Sequence, residues 1–170
     1  MKSEELSFND FNKKLTQNVE ARPELLVPRP GEISEIKARE LGIEVRIKRE
    51  ESMMLTCGPA GECYWNAYSL VSHKQAERYC LGFAAKDNRL FARHAWVKKG
   101  DSYLDNTRQG DGEPATLFVL VHEMSLSEID AFYRNHHIDT KKPHFPIEIT
   151  LDGALHTPPA PLIEVTQEPD

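Results

Sequence analysis

Apolar residues recur with helical spacing in two segments near the start of the chain. The first segment, residues 4–19, predicts a helix with apolar positions at Leu6, Phe8, Phe11, Leu15 and Val19. A proline-rich stretch, residues 22–31, then interrupts the helical pattern. The second segment, residues 33–41, predicts a short helix that stops at Gly42, with that glycine as a left-handed C-cap.

The middle of the chain alternates between apolar and polar positions, as strands do. Ile43, Val45 and Ile47 alternate with charged residues, which predicts a half-buried strand. Four further segments are rich in aromatic and β-branched residues and are separated by Asp-Asn and Gly-Asp turn signals. They predict successive antiparallel strands at residues 78–85, 91–98, 102–104 and 116–122.

Two more helices are predicted around these strands. One begins at Cys63, directly after a turn at residues 58–61. The other follows Ser125, which stands three residues before Glu128 in the spacing of a capping box, and reaches about His136. From Pro143 onward the chain holds six prolines, so we expect extended structure and fraying ends there.

The length of the chain and this order of elements predict a single α+β domain. Within residues 1–170 we expect a helical N-terminal part (1–50), a core (51–142) and a proline-rich C-terminal extension (143–170).

The overall charge limits the classes of partner. The chain has 21 basic and 27 acidic side chains, a net charge of -6, which argues against binding to the phosphate backbone of nucleic acids. No apolar run is long enough to cross a bilayer, and the N-terminal residues do not resemble a secretory signal. Three irregularly spaced cysteines favour a reducing compartment over a disulfide framework, so we expect a cytoplasmic protein.

Candidate chemistry comes from a cysteine, a histidine and an aspartate that follow one another in the order of a catalytic triad. Cys63 stands at a predicted helix start, where unpaired backbone N–H groups and the helix dipole favour the thiolate and can donate to an oxyanion. A hairpin turning at residues 98–101 would place His94 and Asp105 on adjacent strands, facing each other. Trp96, two residues beyond His94, would share its face and shield the imidazole from water.

The motifs around these residues resemble the transglutaminase-like branch of the papain-like cysteine enzymes. The resemblance implies a nucleophile helix packed on an antiparallel sheet, with Cys63 as nucleophile, His94 as general base and then acid, and Asp105 as the residue that orients the imidazole. It is carried by Gly61-Glu62-Cys63, by Arg78-Tyr79-Cys80-Leu81-Gly82-Phe83, by His94-Ala95-Trp96 and by Leu104-Asp105-Asn106-Thr107.

The implied function is thiol-dependent acyl chemistry on an amide bond of a protein or peptide substrate, without a cofactor. Whether water or an amine receives the acyl group is open, so hydrolysis and transfer are both retained. No glutamine stands within a dozen residues before Cys63, so the oxyanion donor is open among Thr56, Asn66 and a backbone group. Asn106 replaces the proline that usually follows the acid in this branch.

Three alternatives remain at this point. Cys57 also lies near the turn and competes as nucleophile, while Cys80, inside a strand pattern, is expected in the core. A zinc site would draw on the three cysteines or on His136, His137 and His144, but none of their spacings matches a usual ligand pair. The chain could also be a non-catalytic binding or effector protein that retains the transglutaminase-like fold.

Overall fold

The structure is a computed structural model, and it describes most of the chain beyond residue 29. The predicted helix at residues 4–19 lies outside the described residues, as do Thr56 and Cys57. The described residues are 30–55, 58, 62–86, 90–107, 114–138 and 146–157.

The described residues form an α+β fold built on an antiparallel sheet. Its helices are α1 (Glu35–Leu41), α2 (Arg49–Ser52), α3 (Cys63–Ser72) and α4 (Leu126–Asn135). Its strands are β1 (Glu32–Ser34), β2 (Ile43–Val45), β3 (Arg78–Ala85), β4 (Leu90–Lys99), β5 (Ser102–Leu104), β6 (Leu117–Ser125), β7 (Glu148–Ile149) and β8 (Leu155–His156). The strands predicted from alternation and turn signals are confirmed, although β6 continues to Ser125, three residues past its predicted end.

The six-stranded sheet leaves an opening along one edge of β4. Its strand order is β1-β4-β3-β6-β2, with β5 also paired to β4. Strand β3 covers one side of β4 along almost its whole length. On the other side, β1 pairs with residues 90–92 and β5 pairs with residues 97–99. Neither strand pairs with residues 93–96, so the opening contains His94. Helix α3 contacts the same strand.

The two faces of the sheet bury cores of different size. The larger core lies under the helices and includes Tyr79, Leu81 and Phe83 of β3. The smaller core, on the opposite face, contains Cys80, Trp96 and other side chains: Ile47, Ala84, Phe118 and Leu120. His94 has the same parity on β4 as Trp96, so its side chain belongs to the face with the smaller core.

Three local expectations need correction. Helix α1 begins at Glu35 rather than at residue 33, because Ser34 is the N-cap and accepts a hydrogen bond from the Lys37 N–H. Gly42 has φ −157°, an extended conformation and not a left-handed C-cap. A Cβ at Gly42 would lie 2.1 Å from the Leu120 carbonyl oxygen, so a close approach to β6 accounts for the glycine. Ile43 is 66% exposed, so alternation did not predict its burial correctly.

The C-terminal segment contributes to the core, which the run of prolines did not indicate. Residues 146–157 contain the hairpin β7–β8 rather than only extended chain. Ile147 and Ile149 are fully buried, and the Tyr79 hydroxyl donates a 2.5 Å hydrogen bond to the Ile147 carbonyl. His122 Nε2 donates to the Gly153 carbonyl at 2.6 Å. The hairpin is thus fixed to the larger core and to β6.

In the part of the chain that the structure describes, no helix is both long and apolar enough to span a membrane.

Replacing Gly82 with alanine tests the packing behind His94. Gly82 is the register partner of His94, and a Cβ there would lie 1.9 Å from the Val119 carbonyl oxygen and 2.9 Å from the tip of the Trp96 ring. We expect Gly82→Ala to lower the free energy of unfolding by about 3 kcal/mol, measured by chemical denaturation. The control is Gly31→Ala, where nothing lies within 4 Å of the new methyl but φ is +85°. We expect this backbone strain to lower the free energy of unfolding by only about 1 kcal/mol. Equal losses would contradict the close packing at Gly82.

Candidate active site

Cys63 is the first residue of α3 and stands at the end of the helix where backbone donors are available. The helix forms because Ala67, Leu70 and Val71 bury one face against the sheet. Its own hydrogen-bond ladder starts with the Asn66 N–H, which donates to the Glu62 carbonyl at 2.9 Å, and Glu62 provides no side-chain cap. The N–H groups of residues 63–65 therefore have no acceptor within the helix ladder.

His94 joins the cysteine to the aspartate. Its Nε2 atom lies 2.7 Å from Asp105 Oδ2, and its ring also forms a hydrogen bond with the Cys63 side chain. Because Nε2 is taken by Asp105, Nδ1 is the ring nitrogen left for the thiol. Burial alone would lower the pKa of His94, but the hydrogen bonds to Asp105 and Cys63 outweigh it and raise the pKa from 6.5 to about 10. The imidazole is thus held in its charged form at neutral pH.

Asp105 is buried and has hydrogen-bond partners on both carboxylate oxygens. Its side chain is 0% exposed; Oδ2 meets His94, and Oδ1 accepts from the Thr107 N–H at 3.0 Å. Its backbone N–H donates to Ser52 Oγ at 3.1 Å, and Ser52 Oγ in turn donates to the Lys48 carbonyl at 2.6 Å. A buried carboxylate needs such hydrogen bonds in place of water, and these bonds fix Asp105 relative to Thr107 and α2.

A second set of contacts ties that loop to α3. The Asn66 side chain donates to Thr107 Oγ1 at 3.2 Å, and the Asn106 side chain donates to the Asn66 carbonyl at 3.4 Å. The Asn106 carbonyl accepts from the Gly58 N–H at 2.9 Å. A Cβ at Gly58 would lie 1.9 Å from the Asn66 amide oxygen. The structure therefore places Asn66, an oxyanion candidate in the sequence, between α3 and residues 105–107, which its hydrogen bonds connect.

Trp96 and Phe118 pack against His94 on the sheet face. The Trp96 ring is fully buried and lies 6.1 Å from the His94 ring, centroid to centroid, with 25° between the planes. The Phe118 ring lies 5.9 Å from His94. These contacts exclude water from one side of the imidazole, the arrangement that the spacing of Trp96 and His94 predicted.

Of the other candidate residues, those that the structure describes lie apart from this group. Thr56 and Cys57 are outside the described residues. Cys80 is fully buried in the smaller core, and burial raises the pKa of its thiol well above the ordinary value. His136 Nδ1 donates to the Phe132 carbonyl at the end of α4, at 2.8 Å. Among the described residues, no three His, Cys, Asp or Glu side chains gather as a metal site would require.

The roles of Ser52 and Thr107 were not predicted. Ser52 belongs to no motif, and Thr107 was noted only as the last residue of the motif around Asp105; the contacts of both arise because α2, α3 and residues 105–107 meet in space. No spacing in the sequence signals that meeting, since Ser52 and Asp105 are far apart along the chain.

Removing the Ser52 hydroxyl tests whether it positions Asp105. We expect Ser52→Ala to lower the free energy of unfolding by about 1–3 kcal/mol, because the buried Asp105 N–H loses its acceptor. The matched control is Ser72→Ala. The Ser72 hydroxyl also donates to a backbone carbonyl, that of Ser69, but among the described residues it accepts no bond from a buried backbone N–H. Its expected effect is under about 0.5 kcal/mol in the same denaturation experiment. A Ser52 effect no larger than the control would contradict the role.

The raised pKa of His94 predicts a pH-dependent contribution to stability. Since the pKa is higher in the folded protein, this contribution is fully present below pH 6.5 and is lost as the pH rises through about 10. The difference in free energy of unfolding between the wild type and His94→Gln should therefore shrink across that range. His156→Gln, at an exposed histidine, is the control and should show no such trend. A difference that stays constant with pH would contradict the charged state of His94.

Comparisons of the chain with protein-family models, with curated proteins and with solved structures found no match. The resemblance to the transglutaminase-like branch accordingly rests on the four sequence motifs quoted above.

Proposed function

We propose that this protein carries out thiol-dependent acyl chemistry on amide bonds, with Cys63, His94 and Asp105 as the catalytic residues. The observation that carries the proposal is the position of the His94 ring, hydrogen-bonded to Cys63 on one side and to Asp105 on the other. A thiol, an imidazole and a carboxylate in this relation form an activated nucleophile with its base and its orienting group.

In the proposed reaction the Cys63 thiolate attacks the carbonyl carbon of the amide. The N–H groups at the start of α3 stabilise the oxyanion that forms. The His94 imidazolium then gives a proton to the leaving nitrogen, the C–N bond breaks, and a thioester remains on Cys63. Water or an amine then attacks the thioester and passes a proton back to His94. The C–S bond breaks, and the acid or the new amide is released from Cys63.

The proposal includes a papain-like core of the transglutaminase-like type. Its support is the order of parts: a helix that begins with the nucleophile, then an antiparallel sheet with His94 on β4 and Asp105 just after β5. Asn106, which replaces the usual proline, uses its carbonyl and its side chain in the brace to Gly58 and Asn66. The replacement therefore has a structural use in this chain.

Selective alkylation tests the proposal, and Cys80 supplies an internal reference. At about pH 6 a free thiol with an ordinary pKa near 8.5 is almost fully protonated and reacts slowly. We expect iodoacetamide to alkylate Cys63 much faster than Cys80, with each cysteine followed separately by peptide mass spectrometry. His94→Ala should slow the alkylation of Cys63 to the rate of an ordinary exposed thiol, and Asp105→Asn should slow it in part. A Cys63 rate in the wild type no higher than in His94→Ala would instead favour a non-catalytic binding protein.

A stability measurement separates lost reactivity from lost structure. Cys63→Ala removes one sulfur from a partly exposed helix start, so its free energy of unfolding should change by less than ~1 kcal/mol. A folded Cys63→Ala protein that still cleaves or transfers acyl groups would sink the proposal.

A further inference from the structure

A cavity of about 230 Å³ is lined in part by His94. His94 is the residue that the cavity shares with the triad, and the His94 side chain is 15% exposed. Three small side chains contribute to the walls: Ala84, Ala92 and Ala115. Their size leaves room for the side chain or the terminal group of a substrate.

The charged groups of this cavity are mainly cationic. Lys86 and Arg93 both line it and are exposed, and among the described residues neither takes part in an ion pair. Glu32 is the acidic residue in the wall and is itself engaged in an interaction. A local excess of positive charge in a chain of net charge -6 favours an anionic ligand.

Arg93 also acts near the nucleophile. Burial raises the pKa of Tyr64, the residue after Cys63; Cys63 and Glu148 add to that effect, and Arg93 opposes it. Arg93 is therefore a cation whose charge acts on a side chain of α3 as well as on the cavity that it lines.

We propose that this cavity is the subsite for the amine side of the scissile amide, and that it accepts an amine bearing a carboxylate, such as an amino acid or the C-terminal residue of a peptide. The inference rests on the proposed function, in which His94 protonates the leaving nitrogen. That nitrogen must lie against His94, while the carbonyl oxygen lies at the N–H groups of α3. Arg93 can bind a carboxylate in two-pronged fashion, and Lys86 adds a point charge.

In this arrangement the amide C–N bond breaks, its electron pair stays on nitrogen, and the proton comes from His94. The freed amino acid leaves from the cavity. In the transfer direction, the amine of a bound amino acid attacks the thioester on Cys63. The C–N bond forms, the C–S bond breaks, and the proton passes to His94.

The first test measures the charge near Cys63 and does not depend on catalysis. Iodoacetate and iodoacetamide alkylate the same thiol but differ by one negative charge, so the ratio of their rates reports a nearby cation. We expect the Lys86→Gln/Arg93→Gln variant to lower the iodoacetate-to-iodoacetamide ratio at Cys63 about fivefold relative to the wild type. Lys99→Gln/Arg134→Gln, which removes the same charge elsewhere, should keep the wild-type ratio. A ratio unchanged in the first variant would overturn the cationic subsite.

The second test measures the choice of amine. The wild type is acylated with p-nitrophenyl acetate and then given glycine or glycinamide at equal concentrations of free base, and the N-acetyl products are quantified. Cys63→Ala provides the blank. We expect acetylglycine to form about fivefold faster than acetylglycinamide, and the preference to vanish in Lys86→Gln/Arg93→Gln.

The outcomes are separable. A wild type that never forms a thioester on Cys63 would contradict the proposed function, while the alkylation ratio would still decide whether the cationic subsite exists. A thioester that reacts equally with both amines, or faster with glycinamide, would contradict the carboxylate preference alone and leave the catalytic residues in place.

Discussion

The site depends on one charged hydrogen bond, between His94 Nε2 and the fully buried carboxylate of Asp105. A carboxylate without access to water is stable in its ionised form only when its oxygens are satisfied, and Asp105 meets that condition with His94 and the Thr107 N–H. The opening along β4 provides the space for this pair. β1 and β5 pair with different parts of β4 and leave residues 93–96 uncovered between them. Asp105, just after β5, and Cys63, at the start of α3, both reach His94 through this opening.

Around that pair, short contacts from distant parts of the chain restrict movement. Ser52 of α2 fixes the backbone at Asp105, and Asn66 of α3 joins the loop through Thr107. Each contact is a modest hydrogen bond, but together they fix α3, which carries Cys63, relative to Asp105. In the proposed reaction, groups fixed in this way would not need to reorganise around the charged imidazole.

The sequence predicts elements best where the local pattern and the tertiary structure agree. Strand β3 and the start of α3 at Cys63 were predicted at their observed bounds, because turn residues and apolar periodicity mark them directly. Gly42 was misinterpreted, since a glycine required by a close approach to another strand has the same local pattern as a C-cap. The C-terminal hairpin was missed because burial of Ile147 and Ile149 depends on contacts with β3, not on their proline-rich neighbours.

The same environment explains why two cysteines in one small fold differ. Cys80 lies on β3 in the smaller core, next to Trp96, and burial raises the pKa of its thiol more than the charges of Lys98 and Arg78 lower it. Cys63 lies at a helix start with His94 as its hydrogen-bond partner. The smaller core also closes the aromatic side of the imidazole, since Trp96 and Phe118 both pack on it. The small alanines beside His94 have the opposite effect, because they leave a cavity next to the imidazole where the aromatic residues would fill the space.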